Sequence, residues 1–161
     1  MKKGFSLVEI LLYIAILSIF LIVALDIFIA SFDVAARSEA VSLVDEEASF
    51  LAKRLAFDIR RAQKITLPAA LGEVSSQLDL LINSSTYSYS QSATSLILTT
   101  PTGINNLNGN QVKITGLSFQ KLGNPGKPQE TVKIKFTLES ASVERTKGPQ
   151  VKTFETTVGL R

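Results

Sequence analysis

The sequence predicts an α+β fold in which a long N-terminal helix, transmembrane in its first half, packs on a small antiparallel β-sheet head. Three observations predict this class. An apolar run fills the first 32 residues, and an amphipathic helical pattern continues to about residue 65. A two-residue alternation of apolar and polar side chains then follows. We therefore divide the chain into a helix at 5–65, transmembrane over about 5–32, and a head domain at 66–161.

The N-terminal run is apolar from Phe5 to about Phe32 and contains no proline, and no glycine after Gly4. A bilayer-spanning helix needs about 20 mostly apolar residues, so one such helix fits here. Lys2 and Lys3 precede it, and the cytoplasmic ends of membrane helices are enriched in Lys and Arg. We therefore expect the N-terminus in the cytoplasm and the C-terminal side outside, with membrane lipid around the helix before any assembly.

One acidic residue, Glu9, interrupts the apolar run near its start. A carboxylate inside a membrane segment costs on the order of a few kcal/mol and usually has a partner and a function. The alternative is a solvated carboxylate at the headgroup level. A second acid, Asp26, falls where the helix should leave the hydrocarbon, and we expect it to be solvated there. Residues 29–31 weakly resemble a secretory cleavage site, but the helical pattern continues through them.

The string KKGFSLVEILLYIAIL at residues 2–17 resembles the N-terminus of type IV prepilins and type II secretion pseudopilins, the class III prepilin signal. In that family a short basic leader ends in Gly, Phe follows, and Glu stands fifth after the cleavage point. Here the leader is 1–4, Gly4 ends it, and Glu9 is the fifth residue counted from Phe5. The resemblance implies that a membrane-bound prepilin peptidase/N-methyltransferase cuts between Gly4 and Phe5 and methylates the new amine.

The same residues indicate how neighbouring subunits would hold each other. After cleavage the cationic amine of Phe5 and the carboxylate of Glu9 lie about 6 Å apart along the helix. Each charge is costly alone in a low-dielectric bundle, and opposite charges stabilise each other's ionised form. We expect the amine of one subunit to pair with Glu9 of its neighbour and so to set the stagger between subunits. The partners that the resemblance implies are other minor and major pilins or pseudopilins and the inner-membrane assembly platform.

A softer resemblance covers the head. The segments LAFDIRRA (55–62), VKITGLSF (112–119) and FETTVGLR (154–161) are similar to the minor pseudopilin J and minor pilin W group. This resemblance implies a subunit in few copies that starts assembly near the tip of a type IV pilus or type II secretion pseudopilus. It would first be a single-pass inner-membrane protein and then part of a filament in the periplasm or at the cell surface. The chain has no cysteine, whereas many major pilins close a C-terminal loop with a disulfide.

Beyond residue 33 the apolar residues recur at three- and four-residue spacing, and charged residues lie between them. We expect this half of the helix to pack on the chain's own head, with an independent coiled coil as the alternative. The period then changes to two. The predicted strands are Leu78–Asn83, Thr86–Ser90, Ser95–Thr100, Gln111–Thr115, Leu117–Leu122, Thr131–Glu139 and Lys152–Leu160.

Composition argues against an enzyme or a metal protein. There is no histidine and no cysteine, which removes Cys-His, Ser-His-Asp and His-based zinc sites. Asp58 and Asp79 are predicted to be isolated acids. The Asn-rich segment 105–110 has carbonyl oxygens but no carboxylate, so a calcium site there is disfavoured. We expect no catalytic residues, no metal and no cofactor.

The formal net charge of +3 falls to +1 when Lys2 and Lys3 leave with the leader. Lys133 and Lys135 would share one face of a strand, which we interpret as a solvated face rather than a nucleic-acid site. Nucleic-acid binding stays open as the less favoured interpretation. The broader alternative function is a membrane-anchored surface module, presented on such a filament, for DNA uptake, adhesion or recognition of secreted cargo.

Overall fold

The computed structural model describes residues 6–123, 130–141 and 148–161. Its long N-terminal helix and small antiparallel sheets confirm the predicted α+β, pilin-like class. The elements in these ranges are α1 (Leu7–Arg61), β1 (Lys64–Leu67), β2 (Val74–Ser75), β3 (Gln77–Ile82), β4 (Ser85–Ser92), β5 (Ser95–Thr100), β6 (Gly103–Asn106), β7 (Val112–Leu122), β8 (Thr131–Ser140) and β9 (Val151–Gly159). The chain divides into two compact units, Met1–Ser38 and Glu39–Arg161.

The described part of the first unit is helical from Leu7 onward. The sequence supports this helix because it has no proline and no glycine between Phe5 and Ser38. Its first turn begins at Ser6, whose carbonyl accepts the N–H groups of Glu9 and Ile10 at 3.0 and 3.2 Å. Every residue from Ser6 to Ser38 is exposed to solvent.

The second unit contains two sheets where the sequence predicted one. The strand order is β1-β3-β4-β5-β6 in the first sheet and β2-β7-β8-β9 in the second. All the strand pairs in both sheets are antiparallel. Strands next to each other along the chain are mostly next to each other in a sheet, as short connections require.

The core of this unit lies between the helix and the inner faces of the two sheets. Both sheets contribute to one cluster, for example Leu80 and Leu98 from the first and Phe119 and Ile134 from the second. The helix contributes one apolar stripe at three- and four-residue spacing, namely Val44, Ala48, Leu51, Leu55, Ile59 and Ala62. This half of α1 therefore packs on the chain's own head, as expected, and needs no coiled-coil partner to bury the stripe.

The helix ends earlier than the predicted boundary at residue 65. It stops at Arg61, and Lys64 already begins β1. Beyond Arg61 the backbone finds other hydrogen-bond partners, since Gln63 N–H donates to the Leu81 carbonyl at 2.8 Å. Ile65 N–H donates to Glu130 Oε2 at 3.0 Å. The apolar period continues because Ile65 is still buried, but a strand rather than a helix now presents it.

The second difference is in β7, which the sequence predicted as two strands separated near Gly116. The structure has one strand with a register shift between Ile114 and Gly116. This bulge moves the buried side chains from even positions, such as Ile114, to odd positions, such as Phe119. The change of phase gave the appearance of two strands. Strands β1, β2 and β6, of four, two and four residues, were missed because so few residues show no readable alternation.

Candidate functional site

The predicted processing and assembly residues begin at the N-terminus. Lys2, Lys3, Gly4 and Phe5 lie outside the described residues. Glu9 lies in the first turn of α1, and its side chain is exposed. Within the described ranges, no ion pair involves Glu9.

The surface around Glu9 is apolar along the whole first unit. Its large apolar side chains are between 49 % (Ile10) and 74 % (Leu7) exposed. In the described part of the chain α1 is the one helix long and apolar enough to cross a membrane. A soluble monomer rarely exposes an apolar patch of more than a few hundred square ångströms. Lipid or other apolar helices must therefore cover this surface.

Two features suit this segment to an apolar environment. Ser18 Oγ donates to the Ile14 carbonyl at 2.7 Å, which satisfies the hydroxyl inside its own helix. No charged residue lies between Glu9 and Asp26, and Asp26 is exposed. The uncharged stretch between them is about 24 Å long at 1.5 Å per residue. That length is somewhat less than the hydrocarbon thickness of about 30 Å, so the two acids bracket a membrane-sized segment.

In the second unit the structure corrects one expectation about acids. Asp58, predicted to be isolated, is fully buried. It forms ion pairs with Arg54 (3.2 Å, Nε to Oδ2) and Arg61 (2.7 Å, a terminal guanidinium nitrogen to Oδ1). The hydroxyl of Tyr89, on β4, donates a hydrogen bond to the same carboxylate. Asp58 lies on the apolar stripe of α1, so helical geometry turns it toward the sheet, and its arginines stand four residues before and three after.

The phenol in this cluster stays protonated. Burial raises the pKa of Tyr89 far above its ordinary value of 10.0, and the hydrogen bond with Asp58 and the charge of that carboxylate raise it further. Tyr89 is therefore a permanent donor to Asp58. Arg61 also lies over the rings of Phe57 and Tyr87, 5.0 and 5.2 Å from their centroids. Tyr89 thus packs in the core, as expected, while Tyr87 is part of the arginine's surroundings. We name Arg54, Asp58, Arg61 and Tyr89 the Asp58 cluster.

A second charged cluster attaches the connector after α1 to the second sheet. Lys121 on β7 is 5 % exposed, and its Nζ lies 2.7 Å from Glu130 Oε1. The same amine donates to the carbonyls of Ile65 and Ala69 at 3.2 and 3.4 Å. Burial alone would raise the pKa of Glu130, but hydrogen bonds from Lys121 and the Ile65 N–H, with the charges of Lys121 and Lys64, lower it. Glu130 is therefore an anion that neutralises a buried lysine.

Neither cluster has the composition of a metal or catalytic site. Among the described residues no group of three or more His, Cys, Asp or Glu could hold a metal ion. In the Asn-rich segment, Asn108 is buried and serves the backbone instead. Its Oδ1 accepts the Leu96 N–H and its Nδ2 donates to the Val112 carbonyl, both at 2.7 Å. What these groups can do chemically is hold the helix, connector and sheets together.

The basic strand face is partly neutralised. Lys133 and Lys135 alternate with buried residues on β8, so they share the outer face as predicted. Lys133 Nζ lies 2.6 Å from Glu155 Oε1 on β9, and Glu155 is the register partner of Lys135. A carboxylate between two lysines weakens the attraction for a nucleic-acid backbone.

Comparison with known families places one motif on this chain. A family model described as the prokaryotic N-terminal methylation motif matches residues 1–25. It supports a type IV pilin-like or pseudopilin-like precursor that prepilin peptidase processes, and it indicates a structural subunit of the pilin type rather than an enzyme. The apolar helix fits the membrane anchor of such a precursor. Comparison with curated proteins and with solved structures gives no significant match.

The Asp58 cluster predicts a difference between two neighbouring tyrosines of β4. Tyr89→Phe removes a buried donor from Asp58 and should lower the free energy of unfolding by about 1–2 kcal/mol. Tyr87→Phe keeps the ring beside Arg61, and we expect a change within about 0.5 kcal/mol. Chemical denaturation of the full chain in detergent, followed by circular dichroism, measures both. Equal losses in the two variants would contradict the assigned role of the Tyr89 hydroxyl.

The Lys121–Glu130 cluster predicts a pH dependence. Because the folded-state pKa of Glu130 lies below its ordinary value of 4.5, the unfolded chain binds more protons between these two values. The stabilisation is present above pH 4.5 and is lost as the pH falls through the folded-state pKa. Glu130→Gln should be less stable at neutral pH by about 1–2 kcal/mol and should show a flatter loss of stability in acid.

Glu139→Gln is the matched control, since it removes one carboxylate near the opposite end of β8 without touching Lys121. Denaturation midpoints measured across the acid range compare the three proteins. The assignment fails if Glu130→Gln follows the wild-type acid profile while Glu139→Gln becomes flatter.

Proposed function

We propose that this chain is a minor pilin or pseudopilin, a structural subunit of a type IV pilus or type II secretion pseudopilus that helps to start assembly near the filament tip. The observation that carries the proposal is the methylation motif at residues 1–25 at the start of an uncovered apolar helix. Either part alone fits other membrane proteins. Together they describe a subunit that is cut, methylated and then packed by its helix against other helices.

The proposed sequence of events follows from the charges. Lys2 and Lys3 keep the leader on the cytoplasmic side, where prepilin peptidase cuts between Gly4 and Phe5. Before assembly the helix stays in the inner membrane, and Glu9 lies within reach of one headgroup region. Cleavage then places a cationic amine at the end of the apolar helix, about 6 Å from Glu9 along the axis.

On leaving the lipid, the exposed helix must exchange lipid contacts for contacts with other helices. The bundle has a low dielectric, so an unpaired carboxylate there is costly. Pairing the Phe5 amine of one subunit with Glu9 of the next removes that cost and disfavours other registers. Glu9 is exposed on its helix, which leaves it accessible to a neighbouring chain.

The head has a supporting role in this proposal. Its helix half is attached by an apolar stripe and by the Asp58 cluster, and the connector is attached through Lys121. The head therefore keeps a fixed relation to residues 39–61 of the helix when neighbours pack against it. Partners of the head would be other minor and major subunits, with the inner-membrane assembly platform on the cytoplasmic side.

The minor role rests on weaker support. The chain has no cysteine, so the head is held by packing and by its two charged clusters rather than by a disulfide loop. The similarity of its helix end, β7 and C-terminal strand to the minor pseudopilin J and minor pilin W group points in the same direction. Such a subunit would occur in few copies, in the periplasm or at the cell surface once assembled.

A substitution at Glu9 tests the proposal. Glu9→Leu should leave membrane insertion and cleavage intact, because it makes the segment more apolar and keeps Gly4 and Phe5. Incorporation into filaments should fall about tenfold or more, since losing a desolvated ion pair worth a few kcal/mol corresponds to at least that factor. The measurement is the ratio of subunit in sheared filaments to subunit in membranes, by immunoblot.

Asp26→Asn is the matched control, because it also removes an acid from the apolar segment but at its far end. We expect it to retain wild-type incorporation. Normal incorporation of Glu9→Leu would refute the assembly role of Glu9. Equal loss in both variants would show that the effect comes from charge in the helix rather than from a specific pair.

A further inference from the structure

The helix of the head has a second ordered face, opposite the one that packs on the sheets. Along it, seven residues recur at alternating four- and three-residue spacing, which is a heptad pattern. They are Glu39, Leu43, Glu46, Phe50, Lys53, Phe57 and Arg60. All are exposed except the half-buried Leu43. Phe50 and Phe57 are 51 % and 58 % exposed, although the head has a large core in which they could have been placed.

Charge is segregated along this outer face. Its N-terminal half carries Glu39, Glu46 and Glu47, and its C-terminal half carries Lys53, Arg54, Arg60 and Arg61. Among the described residues, no ion pair within the chain involves Glu46, Lys53 or Arg60. The face therefore carries complementary charges that the head does not itself pair.

The acidic half also borders a cavity. It has a volume of about 430 Å³ and is lined by Leu43, Glu46, Glu47, Phe50 and the loop residues Gly109–Val112. Glu47 is held at its edge by the N–H of Gly109, at 3.1 Å. The cavity combines an apolar floor with a carboxylate rim, which suits an aromatic side chain flanked by cations. Phe57, between Lys53 and Arg61, has that composition.

We propose that the outer face binds the same face of a second copy of this chain, parallel and displaced along the axis by two heptads. A shift of fourteen residues corresponds to about 21 Å. It places Phe57 of one copy opposite Leu43 and the cavity of the other. It also aligns three acid–base pairs, Glu39 with Lys53, Glu46 with Arg60 and Glu47 with Arg61.

Other parallel registers fit less well. Without a shift, like charges face each other at every charged position. A shift of one heptad places Glu39 opposite Glu46 and Lys53 opposite Arg60, so two of its contacts are repulsive. Only the two-heptad shift pairs every overlapping charge with its opposite. The charges thus select the register, and the two apolar positions supply buried area.

An antiparallel pair would also match charges, with Phe50 against Phe50 at its centre. The parallel arrangement is preferred because two copies anchored by their N-terminal segments in one membrane point in the same direction. The inference thus rests on the proposed function for its polarity and adds to it the partner, the face and the register. It means that at least two copies of this subunit are adjacent in the assembly.

Disulfide crosslinking in membranes tests the register, and the lack of any native cysteine leaves no background. Glu39→Cys and Lys53→Cys are placed in two differently tagged full-length copies, both at exposed positions. We expect a mixed dimer from this combination, while two of the three ion pairs remain. Phe50→Cys alone is the comparison, because it crosslinks to itself only in an antiparallel or unshifted pair, and we expect no dimer.

Charge reversal then tests the cause. Glu46→Lys in the copy that carries Glu39→Cys should reduce the yield of mixed dimer about fivefold, since it turns one attraction into a repulsion. Arg60→Glu in the copy that carries Lys53→Cys should restore it, because the reversed pair is again opposite in sign. The same Arg60→Glu without Glu46→Lys should lower the yield.

Processing of Gly4–Phe5 and incorporation into filaments are measured in the same strains. A processed, incorporated protein that gives no mixed dimer, or that gives a Phe50→Cys dimer instead, overturns the inference and leaves the proposed function standing. A crosslink from the Lys53→Cys copy to a different subunit alone also overturns it. Absence of processing overturns the proposed function itself.

Discussion

The constraint on which the rest of the structure depends is the uncovered apolar surface of the first half of α1. Its large side chains are at least 49 % exposed, and this surface has to lie in lipid or against other apolar helices. That requirement explains why one acid in the segment matters more than all the charges on the head. In water Glu9 would be one carboxylate among fourteen acidic residues, whereas in an apolar bundle it needs a cation, and processing would create one a single helical turn away.

The second half of the same helix meets the opposite problem, because it must stay attached to a head that has no disulfide. Its apolar stripe supplies the area, and two buried charged clusters supply direction. Asp58 fixes the rotation of the helix against β4 through Tyr89, and Lys121 fixes the connector against the second sheet. Buried ion pairs add little net stability but are expensive to break. They therefore favour one arrangement of helix and sheets over its neighbours.

Much of the fold could be predicted from the sequence, because two periodicities identify it. The apolar run, the three-and-four spacing of the helix and the alternation in β8 gave the class and most of the strands. Local pattern did not give the helix end, since Ile65 keeps the apolar period while its backbone bonds to Glu130. It also missed the bulge in β7 and the shortest strands. Asp58 was missed although its signal was present, because it stands on the apolar stripe between two arginines. The residues that carry the proposed function were found by their spacing alone, since their chemistry appears only after cleavage and between chains.

The account's central claim is that an amine created at Phe5 completes the charge arrangement of an apolar helix that stays in the mature protein. Mass spectrometry of the intact protein, purified from its native membrane, tests this claim most directly. The account predicts a mature chain that lacks residues 1–4, begins at Phe5, carries one N-methyl group and retains the whole of α1. A chain that still carries Met1–Gly4, or one cut after Ser31 so that the apolar segment is lost, would contradict it.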